Sequence, residues 1–151
     1  MAHRFRGNST QKMDLAKGQV SVPSTFRRVI EACDPDWVEG RKPQFVIVYG
    51  DHRRDYLECF TMTAMNEIDE LVDAMERGSI EREMVEELYY GQSHPAEVQP
   101  DGRIVVPKPL REKIALGEQV FFIGAGDRFH IWNPATYAAK KAARTRDWLD
   151  R

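Results

Sequence analysis

No stretch of this sequence approaches the ~20 consecutive apolar residues that a membrane-spanning helix needs. The first residues, Met-Ala-His-Arg-Phe-Arg-Gly, carry charge but no apolar segment, so they do not read as a signal peptide. Cysteine is scarce: Cys33 and Cys59 are the two in the chain, and they lack CxxC spacing. Reduced, structural thiols are expected, and the sequence leaves a Cys33–Cys59 bridge open. His3, His52, His94 and His130 are scattered, with no metal-ligand spacing. No G-x-S-x-G elbow, P-loop or dinucleotide fingerprint occurs. These absences give no catalytic residue, metal, cofactor or small-molecule substrate to expect, and they point to a cytoplasmic protein that is not an enzyme. One segment, YGDHRRDYLECF, does gather Asp51, His52, Asp55 and Cys59. Its simpler reading is a polar hairpin turn with Cys59 facing inward two places after Leu57. Its alternating charges would equally suit a contact with a neighbouring subunit.

What is present fits one domain, or two small units sharing a core: 151 residues, 42% hydrophobic and 30% charged. The net charge is −2, but its distribution is uneven. Up to Arg28 the chain holds Arg4, Arg6, Lys12, Lys17, Arg27 and Arg28 against a single acid, Asp14. From Glu58 to Glu97 the only cations are Arg77 and Arg82. A polyanion meets a surface rather than an average, so the basic arm outweighs the total.

The chain contains an internal repeat. GQVSVPSTFR, from Gly18 to Arg27, aligns with GRIVVPKPLR, from Gly102 to Arg111. Each copy leads into a short helix, STFRRVIEAC or KPLREKIAL, for which Ser24 suits an N-cap and Pro109 the first helical position. A buried strand follows, FVIVYG or VFFIGAG, then a polar turn and a second strand, YLECF or FHIW. A helix start closes each unit, at Thr61 or Thr63 in the first and at Asn133-Pro134 in the second. Phe60 then corresponds to Trp132 and Met65 to Tyr137. The change of offset places an insertion in the first unit, in the loop-like DPDWVEGRKPQ. Neither unit alone has enough strands to bury both faces, whereas two related by a pseudo-two-fold axis would share one small barrel-like core.

Between the copies the spacing predicts a helical hairpin. Met65, Ile68, Leu71, Val72 and Met75 form one apolar face, and Gly78-Ser79 interrupts it. Ile80, Met84, Val85, Leu88 and Tyr89 form a second face, which stops at Gly91. The stripe has two readings, packing on its own domain or on a neighbouring subunit.

RFRG, KGQVSVPSTFR, and GRIVVPKPLR with FFIGAGDRFHIWNPATY together resemble the MraZ family of AbrB-like bacterial transcriptional regulators, from Phe5 to about Tyr137. The resemblance implies a mainly β fold with helices (α+β), in which two AbrB-like swapped-hairpin units form a double-split β-barrel with the helical hairpin between them. The expected division is residues 1–64, 65–91 and 92–137, with a C-terminal helical tail at 138–151. The resemblance also implies a ring-shaped homo-oligomer that binds double-stranded DNA at tandem promoter repeats of the division and cell-wall gene cluster, at the nucleoid.

The chain departs from the family's Asp–Arg loop pattern in both copies. Leu15 and Gln99 stand where the aspartates are expected, with Asp14 and Asp101 nearby. Gln19 replaces the first arginine, while Arg103 keeps the second. The candidate DNA contacts are therefore Arg4, Arg6, Lys12, Lys17, Gln19 and Arg103. Gln19 and Arg103 suit base edges, since Gln pairs with adenine and Arg with guanine. The other four suit phosphates. The plainer reading makes Gly18 and Gly102 turn glycines, pairs Arg103 with Asp101 or Glu97, and leaves Arg27 and Arg111 solvated or paired within the chain. The alternative function is an oligomeric protein-interaction module with reduced DNA recognition. An antitoxin-like protein fits less well, because such proteins typically join one unit to a disordered tail.

Overall fold

The structure, a computed structural model, describes residues 3–150. The elements of the first half are β1 (Asn8–Asp14), β2 (Gln19–Ser21), α1 (Ser24–Ala32), β3 (Gln44–Val48) and β4 (Leu57–Thr61). Next come α2 (Met62–Asp73) and α3 (Ile80–Glu86), the latter ending in a π-helical turn, Glu87–Gly91. The second half repeats the first with β5 (Ser93–Glu97), β6 (Arg103–Val105), α4 (Lys108–Lys113), β7 (Gln119–Gly124), β8 (Arg128–Trp132) and α5 (Pro134–Leu149).

All eight strands lie in one antiparallel sheet, ordered β5-β3-β4-β8-β7-β1-β2-β6. The outermost strands β5 and β6 come back into contact, so the sheet nearly closes into a barrel. The halves are exchanged: β1 pairs with β7, and β5 pairs with β3. The register follows a pseudo-two-fold axis. Val20 pairs with Ile104, and the flanking pairs Gln19–Val105 and Ser21–Arg103 interconvert under the repeat. On the other side Glu58 pairs with His130, and Leu57–Ile131 interconverts with Cys59–Phe129. The mixed α+β, barrel-like fold expected from the repeat is the observed one.

The core fills the interior between the halves. Met13, Val20, Ile104, Val120, Phe122, Phe129 and Ile131 are buried, and Phe5, Phe26, Phe45 and Phe129 pack ring against ring. Strands β1 and β5 escape a reading of apolar alternation. NSTQKMD buries only Met13, and SHPAE contains Pro95. Pairing with the opposite half makes both of them strands, and β5, bonded in a ladder only to β3, tolerates proline as an edge strand does.

Several local expectations change. Pro23, not Ser24, is the N-cap of α1, and no side chain caps it. Pro109 is the second residue of α4, whose N-cap is Pro107. That helix stops at Lys113, because Ala115 takes a φ of 51° and the Leu116 N–H bonds back to the Arg111 carbonyl. Thr61 caps α2 by accepting from the Ala64 N–H, while Thr63 donates its hydroxyl to the Cys33 carbonyl. Ser79 and Asn133 cap α3 and α5 as expected. Cys33 is half-buried and Cys59 buried, and both are free thiols.

The hairpin face is only partly covered. Met65 and Val72 are buried, with Ile68, Leu88 and Tyr89 packed beside Val48 and Phe60. Leu71, Ile80 and Met84, expected on the same faces, are 70%, 70% and 65% exposed. Arg82 is nearly buried instead. Its guanidinium donates to the Met75 carbonyl at 2.9 Å and pairs with Asp73 and Glu86.

Candidate nucleic-acid interface

The repeated motif builds a small two-stranded ribbon, β2 against β6, on the pseudo-two-fold axis. Val20 and Ile104 point inward and are buried. Strand alternation turns Gln19, Ser21, Arg103 and Val105 outward, and all four keep solvent access. Gln19 faces Val105 directly, and Arg103 lies two residues further along β6. They form a diagonal pair, with Cα atoms roughly 7–8 Å apart.

A loop flanks the ribbon at each end. The first, Asp14–Gly18, carries exposed Lys17 and is closed by the Gly18 N–H to the Asp14 carbonyl at 2.7 Å. Asp14 Oδ1 also accepts the Ala16 N–H at 2.9 Å. The second loop, Gln99–Gly102, is closed by the Gly102 N–H to the Gln99 carbonyl. Asp101 Oδ1 accepts the Arg103 N–H at 3.1 Å, and its carboxylate lies 3.8 Å from Arg103 Nε. Both aspartates thus shape turns in their displaced positions, and the Asp101–Arg103 pairing exists as a loose, solvent-exposed contact.

Gly18 and Gly102 have φ of 69° and 85°. A Cβ on Gly18 would lie 2.6 Å from the Val106 carbonyl oxygen, which makes glycine obligatory there. The reason is a pair of cross-ties: the Val106 N–H donates to the Gly18 carbonyl and the Val22 N–H to the Gly102 carbonyl.

The other candidates are spread out. Lys12 is exposed on β1 and lies 3.5 Å from Glu118. Arg4 and Arg6 precede β1, next to the Phe5–Gly126 bridge, at the end of that strand opposite the Lys17 loop. At the strand rise per residue, Arg6 stands roughly 25 Å from that loop. The structure therefore groups Lys17, Gln19 and Arg103, with Lys12 at the margin, and separates Arg4 and Arg6 from them. Sequence inspection gave Arg27 and Arg111 no part in this region. Both reach it, each touching the loop of the opposite copy. Their recurrence at the same place in the repeat was the available signal.

A second basic region lies away from the ribbon, in a cleft between the 53–56 loop, β8 and α5. Its cations are largely engaged: Arg53 and Arg54 with Asp51, and Lys140 with Asp55 at 2.9 Å. Burial pushes the Cys59 thiol well above its usual range, which suits a core residue and not a nucleophile. Among the described residues, no group of three or more His, Cys, Asp or Glu side chains could hold a metal ion, and no helix is long and apolar enough to cross a membrane.

Comparison with known proteins bears on the whole chain. A Ruegeria pomeroyi protein named transcriptional regulator MraZ is 55% identical over 150 residues, covering 99% of this chain and 89% of that protein. The chain belongs to the MraZ family. A Ruegeria sp. MraZ regulator is 50% identical with the same coverage, and one from Cereibacter sphaeroides is 43% identical over 95% of this chain and 88% of its own length. The MraZ family model, which describes the family as antitoxin-like, matches residues 92–145. That span begins just before β5 and includes β6, α4, β7 and β8, the second copy of the repeat.

Proposed function

We propose that this MraZ-family chain is a sequence-specific DNA-binding transcriptional regulator. It works as a ring-shaped homo-oligomer at the nucleoid, on tandem promoter repeats of the division and cell-wall gene cluster. The supporting observation is the register of β2 against β6, with Gln19 and Arg103 placed diagonally on one outward face. A two-stranded ribbon fits the major groove, and these are the side chains that pair with adenine and guanine edges. Lys17, with Lys12 at the margin of the ribbon, supplies phosphate contacts. One base contact contributes about 1–3 kcal/mol, so a single ribbon binds weakly. A ring offering several ribbons to repeated sites gains through effective concentration.

The test is binding of the purified full chain to duplex DNA copied from immediately upstream of its own reading frame, against a scrambled duplex of the same length. The upstream duplex is expected to bind more tightly, and Arg103→Ala to weaken it about tenfold. No detectable binding at ~50 mM salt, where phosphate contacts are strongest, would end this reading. The exposed Leu71, Ile80 and Met84 favour a second reading, an oligomeric protein-interaction module with reduced DNA recognition. A clear preference for the upstream duplex would remove it.

A further inference from the structure

Arg27 and Arg111 occupy the same place in the two copies, nine residues after Gly18 and Gly102. Each crosses the pseudo-two-fold axis to the loop of the other copy. Arg111, on α4, donates from a terminal guanidinium nitrogen to the Leu15 carbonyl at 2.9 Å. Its Nε is buried without a hydrogen-bond partner, and the guanidinium lies so close to Gly18 that a Cβ there would be 3.0 Å from Nε. Arg27, on α1, reaches the Pro100 carbonyl at 3.5 Å, and its Nε also lies 3.8 Å from Glu31. The two braces are unequal. The loop carrying Lys17 and leading to Gln19 is held by a short bond from an arginine that has no ion pair among the described residues. The loop leading to Arg103 is held by a long bond from an arginine shared with Glu31.

We infer that Arg111 is a positioning residue for DNA recognition, holding the Asp14–Gly18 loop in the conformation that presents Lys17 and Gln19. The inference rests on the DNA reading above. A charged donor fixed on a helix orders a carbonyl in an otherwise solvent-exposed loop, and ordering a loop before binding removes a cost that binding would otherwise carry. The brace also accounts for the repeat: glycine leaves room for the guanidinium, and arginine of the partner copy fills it.

The experiment compares wild type with Arg111→Lys, Arg111→Met and Arg27→Lys in the full chain, using the upstream and scrambled duplexes across a salt series. Arg111→Lys is expected to lose about tenfold in affinity for the upstream duplex, the scale of one lost charge-assisted hydrogen bond. Its affinity for the scrambled duplex and its log–log salt slope stay unchanged, and Arg27→Lys shows a smaller loss. Arg111→Met loses the same preference without a change of slope. A fall of about 0.9 in the Arg111→Met slope would instead make Arg111 a direct phosphate contact and overturn the positioning role. Amide hydrogen exchange at Gly18 in the DNA-free protein is the separate arm: it is expected to quicken in both Arg111 variants and not in Arg27→Lys. Unchanged exchange would overturn the brace alone. Wild type binding both duplexes equally would overturn the DNA reading, and with it the role assigned to Arg111.

Discussion

At the scale of single residues, His130 is the clearest internal conflict. It sits at the pseudo-two-fold pairing with Glu58, under the ring of Tyr56 at 4.2 Å, and its Nε2 is buried without a partner. Burial, with the nearby charges of Arg128 and Arg54, lowers its pKa from the ordinary 6.5 to about 4. The folded state therefore resists a proton that the unfolded chain accepts. Between those two values the unfolded state binds more protons, so stability rises with pH there and falls on acidification. The stabilisation is complete above about pH 6.5, and the loss has a limiting slope of about 1.4 kcal/mol per pH unit. Asp51 acts in a different window: a hydrogen bond from Arg53 holds its carboxyl at about 2, so its contribution is lost only as pH falls from 3.8 toward 2. Urea midpoints at pH 7, 5.5 and 4.5 should decline for wild type and decline less for His130→Gln. Equal slopes in the two proteins would show that His130 is not the group responsible.

At the scale of elements, legibility in the sequence tracked whether an element's partners were local. Strands β3, β4, β7 and β8 are apolar and turn-linked, and they read directly. Strands β1 and β5 are polar and exist because the other half offers an open edge, which no window of the sequence contains. The ribbon face has the same origin. Gln19 and Arg103 are distant in the chain, and only the register of β2 on β6 brings them together. The helical hairpin was legible as two helices, but its partner stayed open for another reason: apolar periodicity locates a face without saying what covers it. Arg82 shows what the period omits. Arg82, one of two arginines in an acidic segment, closes the hairpin by binding the Met75 carbonyl and two carboxylates. Arg82→Ala removes the donor and its packing, and should cost about 1–3 kcal/mol in chemical denaturation. Arg82→Lys should recover only part of this, since an ammonium cannot reproduce the fork of contacts. A midpoint unchanged in Arg82→Ala would mean that the hairpin is held by Met65 and Val72 alone.

At the scale of the whole molecule, the pseudo-two-fold axis completes the barrel but not the surface. The hairpin with exposed Leu71, Ile80 and Met84 belongs to the first half, and the second half carries α5 in its place. Packing of this hairpin against α5 of a neighbouring copy would be heterologous, and heterologous contacts generate rings when the rotation closes. Charge favours the same pairing: Glu67, Glu70 and Asp73 rim the hairpin, while α5 exposes Lys141, Arg144 and Arg146. A Leu71→Glu, Met84→Glu double variant should therefore reduce the light-scattering mass toward the 17.5 kDa of one chain without lowering the unfolding midpoint. Both side chains are already solvated in the monomer, so the fold has little to lose from their replacement. If the chain forms the proposed ring on the proposed tandem repeats, binding to a duplex with one copy of the repeat should persist, while the added affinity for tandem copies disappears, because the latter would depend on ribbons linked in one particle. A variant that keeps the wild-type mass would place the subunit contact elsewhere. One that loses single-copy binding as well would mean that the hairpin supports the ribbon and not the ring.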